Sequence, residues 1–462
     1  MNEGKSKNSN VMEKLISLCK RRGFIFQGSE IYGGLAGIYD YGPLGVEFRN
    51  NIKNYFWKAF ITDREDTYGM SAAILMPEKV WQASGHTELF TDPLVECKIC
   101  NERVRADQPE AIRDHESTHA KDGAKMAWSE PRVFNLLVET KLGASEKTAT
   151  SVYLRGEITQ GVHVNFKNVL DSMHPKIPFG IGQIGKAFRN EITPRDFLFR
   201  QREFEQMEIQ YYIKPEEAEG ERLFEYWKQF ALEWYYGLGF KKESLRLRQH
   251  ALDERAHYAK DAWDIEYNMP DVGWKEAWGI HHRGDWDLRR HSEFSKVDLS
   301  YFDETTKERF IPWDIECSGG VDRAVLFTLL EAYTEDELGG EPRAYLKLKP
   351  GMAPILAAVS PLLKNKPELQ TKAREVFVML KKEFGSIAYD DNGNIGKRYR
   401  RQDEIGTPWC IVIDFDTIGD PSNASGQEKT ELLDTVTIRD RDTGAQERIA
   451  ISELISYIKG RL

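Results

Sequence analysis

Residues 186–192 and Glu203–Ile213 read as two strands joined by a polar loop over 193–202, and this unit constrains the chain more than any other segment. Phe204, Gln206 and Glu208 alternate along the second strand, so their side chains share one face. Arg189 leaves the first strand and Arg200 and Arg202 enter the second, so guanidinium forks flank the loop. Such forks match phosphate oxygens in shape and charge, which suits a polyphosphate. Phe204 offers an aromatic face to a base, a stacking contact worth ~1–3 kcal/mol in nucleic-acid systems. Taken alone, such an Arg-rich hairpin is more often an ordinary solvated, charged face.

Two further segments belong with it. Glu316-Cys317-Ser318-Gly319-Gly320-Val321-Asp322-Arg323 reads as a strand over 310–316, a turn at Ser318–Gly320 and a helix over 321–333. Its glycines permit close backbone approach. Leu154-Arg155-Gly156-Glu157-Ile158-Thr159-Gln160-Gly161 leads into a helix expected over 157–172. Elsewhere, Val11–Arg22 has helical spacing and stops at Gly23. A Gly/Tyr-rich loop over 28–45 precedes a helix over 46–61, and residues 68–76 read as a strand ending at Pro77. Gly339-Gly340-Glu341-Pro342 is the linker candidate. Beyond it strand and helix alternate, at 355–359, 368–384 and 409–415, then a hairpin of 435–438 with 448–451 and a helix over 452–459. That pattern fits a separate α/β domain.

Composition excludes several classes. At ~100–200 residues per domain, 462 residues suggest two to four domains, and 11 Trp, 23 Phe and 19 Tyr rule out a disordered tail protein. No apolar run reaches the ~20 residues of a membrane span. The polar first ten residues do not resemble a signal peptide, so export is not expected. Five Cys, with Cys19, Cys317 and Cys410 standing singly, suit a reducing cytosol. The formal net charge of −10 excludes general polyanion affinity, leaving only local patches. Lys397-Arg398-Tyr399-Arg400-Arg401 is one candidate, against a solvated charged loop.

Two motifs invite other readings. Gly180-Ile181-Gly182-Gln183-Ile184-Gly185 matches a dinucleotide fingerprint and, with Lys186, nearly a P-loop. The preceding His174-Pro175-Lys176-Ile177-Pro178 is a poor strand, and Ala187 stands where a P-loop needs Ser or Thr, so a glycine-rich turn is expected instead. Within a charged segment over 91–143 that reads as an insertion, His115-Glu116-Ser117-Thr118-His119 matches the metalloprotease pattern. Cys97-x-x-Cys100 lies just upstream, and two thiolates with two imidazoles form a closed tetrahedral set with no position for catalytic water. Structural zinc at Cys97, Cys100, His115 and His119 is the expectation, set against a chance surface coincidence.

The three functional segments together resemble the motifs of class II aminoacyl-tRNA synthetases. Arg189-x-Glu191 with Arg200-x-x-x-Phe204 is similar to motif 2, Gly320-x-x-Arg323 to the end of motif 3, and residues 69–77 to motif 1, the dimer element. Within the class, the chain resembles glycyl-tRNA synthetases of the homodimeric type from about Gly23 onward. Tyr39-Asp40-Tyr41-Gly42-Pro43-Leu44-Gly45, Ser84-Gly85-His86, Phe204-Glu205-Gln206-Met207-Glu208 and the tail domain carry that likeness. The family usually has Pro at the positions of Gly156 and Cys317, Ala at that of Ile158 and Gly at that of Asp322; none of these departures removes a charged ligand.

The resemblance implies an α+β fold. A catalytic domain over 1–340, with antiparallel sheet, flanking helices and an insertion at about 91–150, would precede an α/β anticodon-binding domain over 343–462. It implies ATP, glycine and tRNA(Gly) as substrates, magnesium with ATP, a homodimer, a cytoplasmic location and no membrane contact. Arg189, Glu191 and Arg323 would be the catalytic residues: Arg189 on the α-phosphate, Glu191 on the adenine amino group, and Arg323 stacking adenine against Phe204. Arg200 would take the terminal phosphate. Asn190, Phe199, Gln201, Arg202, Glu203, Glu276, Ala277, Gly320, Val321 and Asp322 would complete the ATP wall, with Glu276 as magnesium ligand. Glycine has no side chain to recognise, so selectivity must come from its ammonium and from a lack of space at Cα. Glu157, Glu208 and Glu316 would ring the ammonium and Ser318 would lie against Cα. Arg105, Phe204, Glu205, Gln206, Met207, Cys317, Gly319 and Gly320 would complete the glycine site.

Overall fold

A computed structural model describes residues 11–120, 127–145, 148–192, 194, 197–255, 259–419 and 432–462. The polar residues 1–10, part of the polar loop (193, 195 and 196) and the charged flank Lys121–Asp122 lie outside them.

Seven strands form the central sheet: β1 (Thr67–Gly69), β2 (Phe179–Phe188), β3 (Glu203–Ile213), β4 (Leu245–Gln249), β5 (Asp261–Met269), β6 (Gly273–Gly284) and β7 (Trp313–Gly320). Their order is β4-β5-β6-β7-β3-β2-β1, antiparallel throughout except for the β2–β1 pair. The expected hairpin is present, with Arg189 N bonded to Arg202 O at 2.9 Å where the loop begins. Alternation sorts the sheet's two faces. Met207, Ile209, Tyr211 and Ile213 of β3, with Ile315 and Cys317 of β7, enter the main core. Covering that face are α1 (Val11–Arg22), α2 (Pro43–Trp57), α3 (Glu217–Leu238) and α4 (Val321–Ala332). Stacked and edge-on rings of Phe56, Phe60, Trp227, Trp234 and Trp278 fill its centre. The opposite face of β3 and β7 carries the polar residues.

Several elements differ from the sequence expectation. Gly180–Gly185 is not a turn but part of strand β2, because its glycines admit close neighbours. A Cβ at Gly182 would meet Ile61 at 2.7 Å and one at Gly185 the Arg155 guanidinium at 2.1 Å. Ser318–Gly320 likewise continues β7 rather than turning. The strand over 68–76 is two strands, β1 and Leu75–Pro77, in different sheets; Arg155 and Gln183 take up the backbone groups of Ala72 between them. The helix over 157–172 splits into Thr159–His163 and Phe166–Met173, where Asn165 Nδ2 bonds Gly161 O at 2.9 Å.

The linker candidate is the turn of a hairpin, Tyr333–Leu338 with Glu341–Leu346, with Gly339 and Gly340 at φ 65° and 81°. Leu346 and Leu348, together with Ile405, belong to the main core, so the chain is continuous in packing there. Beyond it, Ala357–Pro361, Ile387–Tyr389, Trp409–Ile413, Thr435–Asp440 and Gln446–Ala450 form a second, mixed sheet with its own core against Pro367–Phe384. The basic run lies on the helix Ile395–Glu404 rather than a loop. Arg398 is buried and donates to Pro361 O, Arg401 pairs with Asp390 at 2.7 Å, and Arg400 donates to Pro342 O at 3.3 Å, so three of the run's four cations have partners within the chain. Among the described residues no helix is long and apolar enough to cross a membrane.

Candidate active site

A cavity of about 260 Å³ opens on the polar face of the sheet. Arg189, Glu191, Phe199, Arg200, Gln201, Phe204, Gln206, Glu276, Ser318, Gly319, Gly320, Asp322 and Arg323 line it, together with Leu198, which the sequence reading did not single out. Phe204 and Gln206 point there because they occupy alternate positions of β3. The Arg189 guanidinium lies 5.1 Å from the Phe90 ring and 5.2 Å from Phe204, and its Nε donates to Gly156 O at 3.0 Å. Across the cavity Arg323 lies over Phe199 at 4.6 Å, donates to Phe199 O at 3.3 Å and pairs with Glu276 at 3.0 Å. The Arg323 guanidinium beside it holds the half-exposed Glu276 carboxyl below its ordinary value. Two cationic planes and an aromatic ring thus surround a slot open to a flat ring and an anionic chain.

Beyond Gln206 the face becomes acidic. Glu208 and Glu316 are 0% and 4% exposed, and Thr159 Oγ1 lies 2.9 Å from one and 3.1 Å from the other. Burial opposes the Glu316 charge, but Arg283 at 3.0 Å and His281 at 2.8 Å hold its carboxyl down to about 2. Glu157 meets His86 Nε2 at 3.3 Å and accepts from Gln160 Nε2 at 3.0 Å, and these partners with Arg283 overcome burial and keep it low. Burial and the charges of Glu316 and Glu157 push Glu208 up to about 8. A positive group entering this end would meet three carboxyls in a dry setting, where charge is most strongly felt.

Other expected residues turn elsewhere. Glu205 and Met207 occupy the opposite face of β3: Glu205 pairs with Lys53 at 2.7 Å and Met207 is core. Glu203 pairs with Lys186 at 2.9 Å. Arg202 donates to Glu191 O at 2.8 Å and Ala36 O at 3.1 Å, shaping the loop rather than the cavity. Cys317, Val321 and Ala277 face the core, and Asn190 is exposed with its N–H on Leu136 O. Asp322 accepts from Tyr41 and from Glu205 N, fastening α4 to β3. Arg105 pairs with Asp92 and Asp107, both at 2.7 Å, close enough to feel the charge of Glu191 but not itself among the lining residues. Sequence reasoning places Thr159 and Gln160 only within the segment over 154–161, and it misses His281 and Arg283, which hold Glu316, and Asp287, which fixes Arg283 and Gln160. The signal was a strand, Gly273–Gly284, carrying two His and an Arg in succession.

In the insertion, one ligand atom each from Cys97, Cys100, His115 and His119 lies within 4.8 Å of all the others. Tetrahedral zinc with bonds of ~2.0–2.3 Å needs donors roughly 3–4 Å apart, so the set needs only slight contraction. Cys100 Sγ is already 3.4 Å from His115 Nε2, and buried His119 Nε2 has no hydrogen-bond partner. His115 Nδ1 meets Glu102 at 3.4 Å, the outer carboxylate expected behind a ligating imidazole. Glu116, which a protease would use as base, instead accepts from Trp128 Nε1 at 3.0 Å.

Comparison with known proteins bears on the family and on both domains. Residues 141–407 match the family described as the tRNA synthetase class II core domain (G, H, P, S and T), and residues 357–461 match the anticodon binding domain. A glycine–tRNA ligase of Caldanaerobacter subterraneus subsp. tengcongensis is 47% identical, aligned over 98% of this chain and 98% of its own. Those of Thermobifida fusca and Clostridium acetobutylicum are 46% and 45% identical, covering 98% and 99% of this chain and 98% and 100% of theirs. A polyphosphate slot leading into an acidic pocket on an antiparallel sheet is thus matched by likeness over nearly the whole length: this chain belongs to the glycine–tRNA ligase family of class II aminoacyl-tRNA synthetases.

Proposed function

We propose that the cavity carries out both half-reactions of a glycine–tRNA ligase, with its residues dividing the work as follows. The glycine carboxylate attacks the α-phosphate of ATP in line, giving glycyl-adenylate and pyrophosphate. The terminal hydroxyl of tRNA then attacks the adenylate carbonyl and releases AMP. No enzyme nucleophile takes part; positioning and charge stabilisation supply the acceleration. The observation that carries this reading is the common face of Phe204, Gln206 and Glu208, which sets a base-stacking ring beside an ammonium pocket on one strand.

Arg189 takes the α-phosphate, Phe204 and Arg323 enclose the adenine, Glu191 reads its amino group, and Arg200 takes the terminal phosphate. Glu157, Glu208 and Glu316 take the ammonium. Ser318 closes the space at Cα, and Gly319 keeps the strand close: a Cβ there would meet Trp278 at 2.2 Å. Glu276 would hold the magnesium that accompanies ATP, which would supply neutralisation of phosphate charge. Zinc at Cys97, Cys100, His115 and His119 would stabilise the insertion without entering the chemistry.

The second sheet, over the residues that match the anticodon binding domain, would contact tRNA. Residues 69–77, where Ile74 and Leu75 are exposed, would form part of a homodimer interface in a cytoplasmic enzyme. Incubation with ATP, labelled glycine and tRNA(Gly) tests the function: charged tRNA should appear with one AMP per glycine. ADP as the nucleotide product, or failure to charge tRNA, would refute it.

A further inference from the structure

The ammonium pocket holds one hydrogen too few for its own contacts. Thr159 Oγ1 touches Glu208 Oε2 at 2.9 Å and Glu316 Oε2 at 3.1 Å, yet a hydroxyl has one hydrogen and an ionised carboxylate can only accept. With both carboxylates charged, one contact would press two acceptors together where Thr159, Glu208 and Glu316 are 2%, 0% and 4% exposed. Sharing the one hydrogen between two ionised acceptors would leave both bonds weak and the charges side by side; a second proton gives each contact its own hydrogen. Glu316 is not its carrier, because Arg283, His281 and Gln210 all donate to it.

Glu208 is differently placed. Its Oε1 makes no hydrogen bond, and the neighbouring strands set neutral Gln183 and Ser318 opposite it. The nearby Arg155 gives its hydrogens to Lys186 O at 2.6 Å and Ala72 O at 2.9 Å. The other acids on this side are Glu157, held by His86; Asp287, held by Arg283; and Asp314, beside His163 at 3.7 Å, which burial pushes well above the ordinary carboxylate range. The carboxylates among them disfavour a further negative charge, and burial acts in the same sense.

We propose that Glu208 is protonated in the empty pocket, donating to Thr159 Oγ1, which donates to Glu316, and that this proton leaves when the glycine ammonium enters. The O–H bond of Glu208 breaks, its proton passes to solvent, and its carboxylate turns from Thr159 to accept from the incoming N–H groups, so Thr159 keeps only its donated bond to Glu316; the amine keeps its own protons. Thr159 is then a positioning residue that holds the acid until the ligand replaces its charge. This inference rests on the assignment of the three carboxyls to the ammonium. With Glu208 titrating at about 8, glycine affinity should weaken nearly tenfold for each unit of pH lost below that value and level off above it.

Calorimetric titration of the full-length enzyme with glycine at pH 7, in phosphate, HEPES and Tris, reads the proton directly. The observed heat should vary with buffer ionisation enthalpy with a slope of about one proton released per site. Glu208→Gln, which keeps the shape of the acid, should release almost none and bind with an affinity independent of pH between 6 and 8. Buffer-independent wild-type heats, or undiminished release from Glu208→Gln, would overturn the proposal. If Glu157→Gln binds glycine as the wild type does, the pocket assignment itself fails and the proposal falls with it, a result distinct from buffer independence.

Discussion

Replacing Glu157 by Gln isolates one charge of the pocket while preserving its shape. The Gln carbonyl can still accept from Gln160 Nε2 at the 3.0 Å contact, and its NH2 faces His86 Nε2, now 3.3 Å from the other carboxylate oxygen, where the imidazole accepts in its other tautomer, so packing should survive. What is lost is a carboxylate that is ionised throughout the working range, since its partners hold its pKa well below the ordinary value. A hydrogen bond to a charged group contributes about 1.5–3 kcal/mol. At ~1.4 kcal/mol per decade, the glycine KM should rise by roughly one to two decades. The ATP dependence should change little, because its contacts are assigned to Arg189, Glu191, Arg200, Phe204 and Arg323. The rise should also be constant from pH 6 to 9, since Glu157 does not titrate there. Pyrophosphate exchange at varied glycine and ATP, in a variant with unchanged melting temperature, gives both dependences. An unchanged glycine KM, or equal damage to both substrates, would refute the reasoning.

Three more outcomes are expected. Elemental analysis should find one zinc per chain, and Cys97→Ser should lose the metal and melt lower; a metal-free wild type of equal stability would rule out the site. Gly319→Ala forces a Cβ against the fully buried Trp278, so it should cost about 1–3 kcal/mol in chemical denaturation and lower exchange activity as the strand shifts beneath Ser318. Because Glu208 titrates at about 8, above its unfolded value, the folded chain binds the extra proton in that window and stability falls as pH rises through it. Glu208→Gln should therefore melt like the wild type at pH 5 and above it at pH 8.5; the reverse order in thermal scans would contradict the assignment.

The legible part of the site lay where one element carried the whole pattern. β3 declares its two faces by strict alternation, and the Cys97-x-x-Cys100 and His115/His119 pairs state their own geometry. Glycines misled in both directions. At Gly180–Gly185 they serve neighbours packed against a strand, which only Ile61 and Arg155 reveal, whereas at Gly339-Gly340 they make a tight hairpin turn rather than a linker. Glu205 and Met207 could have been set aside by the same alternation that marked Gln206. His281 and Arg283 could not be placed, because their roles come from strands brought together by pairing of β3, β6 and β7, and Thr159 reaches Glu208 and Glu316 from the helix Thr159–His163 packed on that face.

The central claim is that this cavity activates glycine with ATP and excludes larger amino acids by lack of space at Cα. Amino-acid-dependent exchange of labelled pyrophosphate into ATP, run with each of the twenty amino acids at saturating ATP and magnesium, tests it most directly. Exchange should appear with glycine, fall sharply with alanine because its methyl meets the wall at Ser318 and Gly319, and be absent with the rest. Exchange supported by another amino acid at the level of glycine, or none with glycine, would contradict the account.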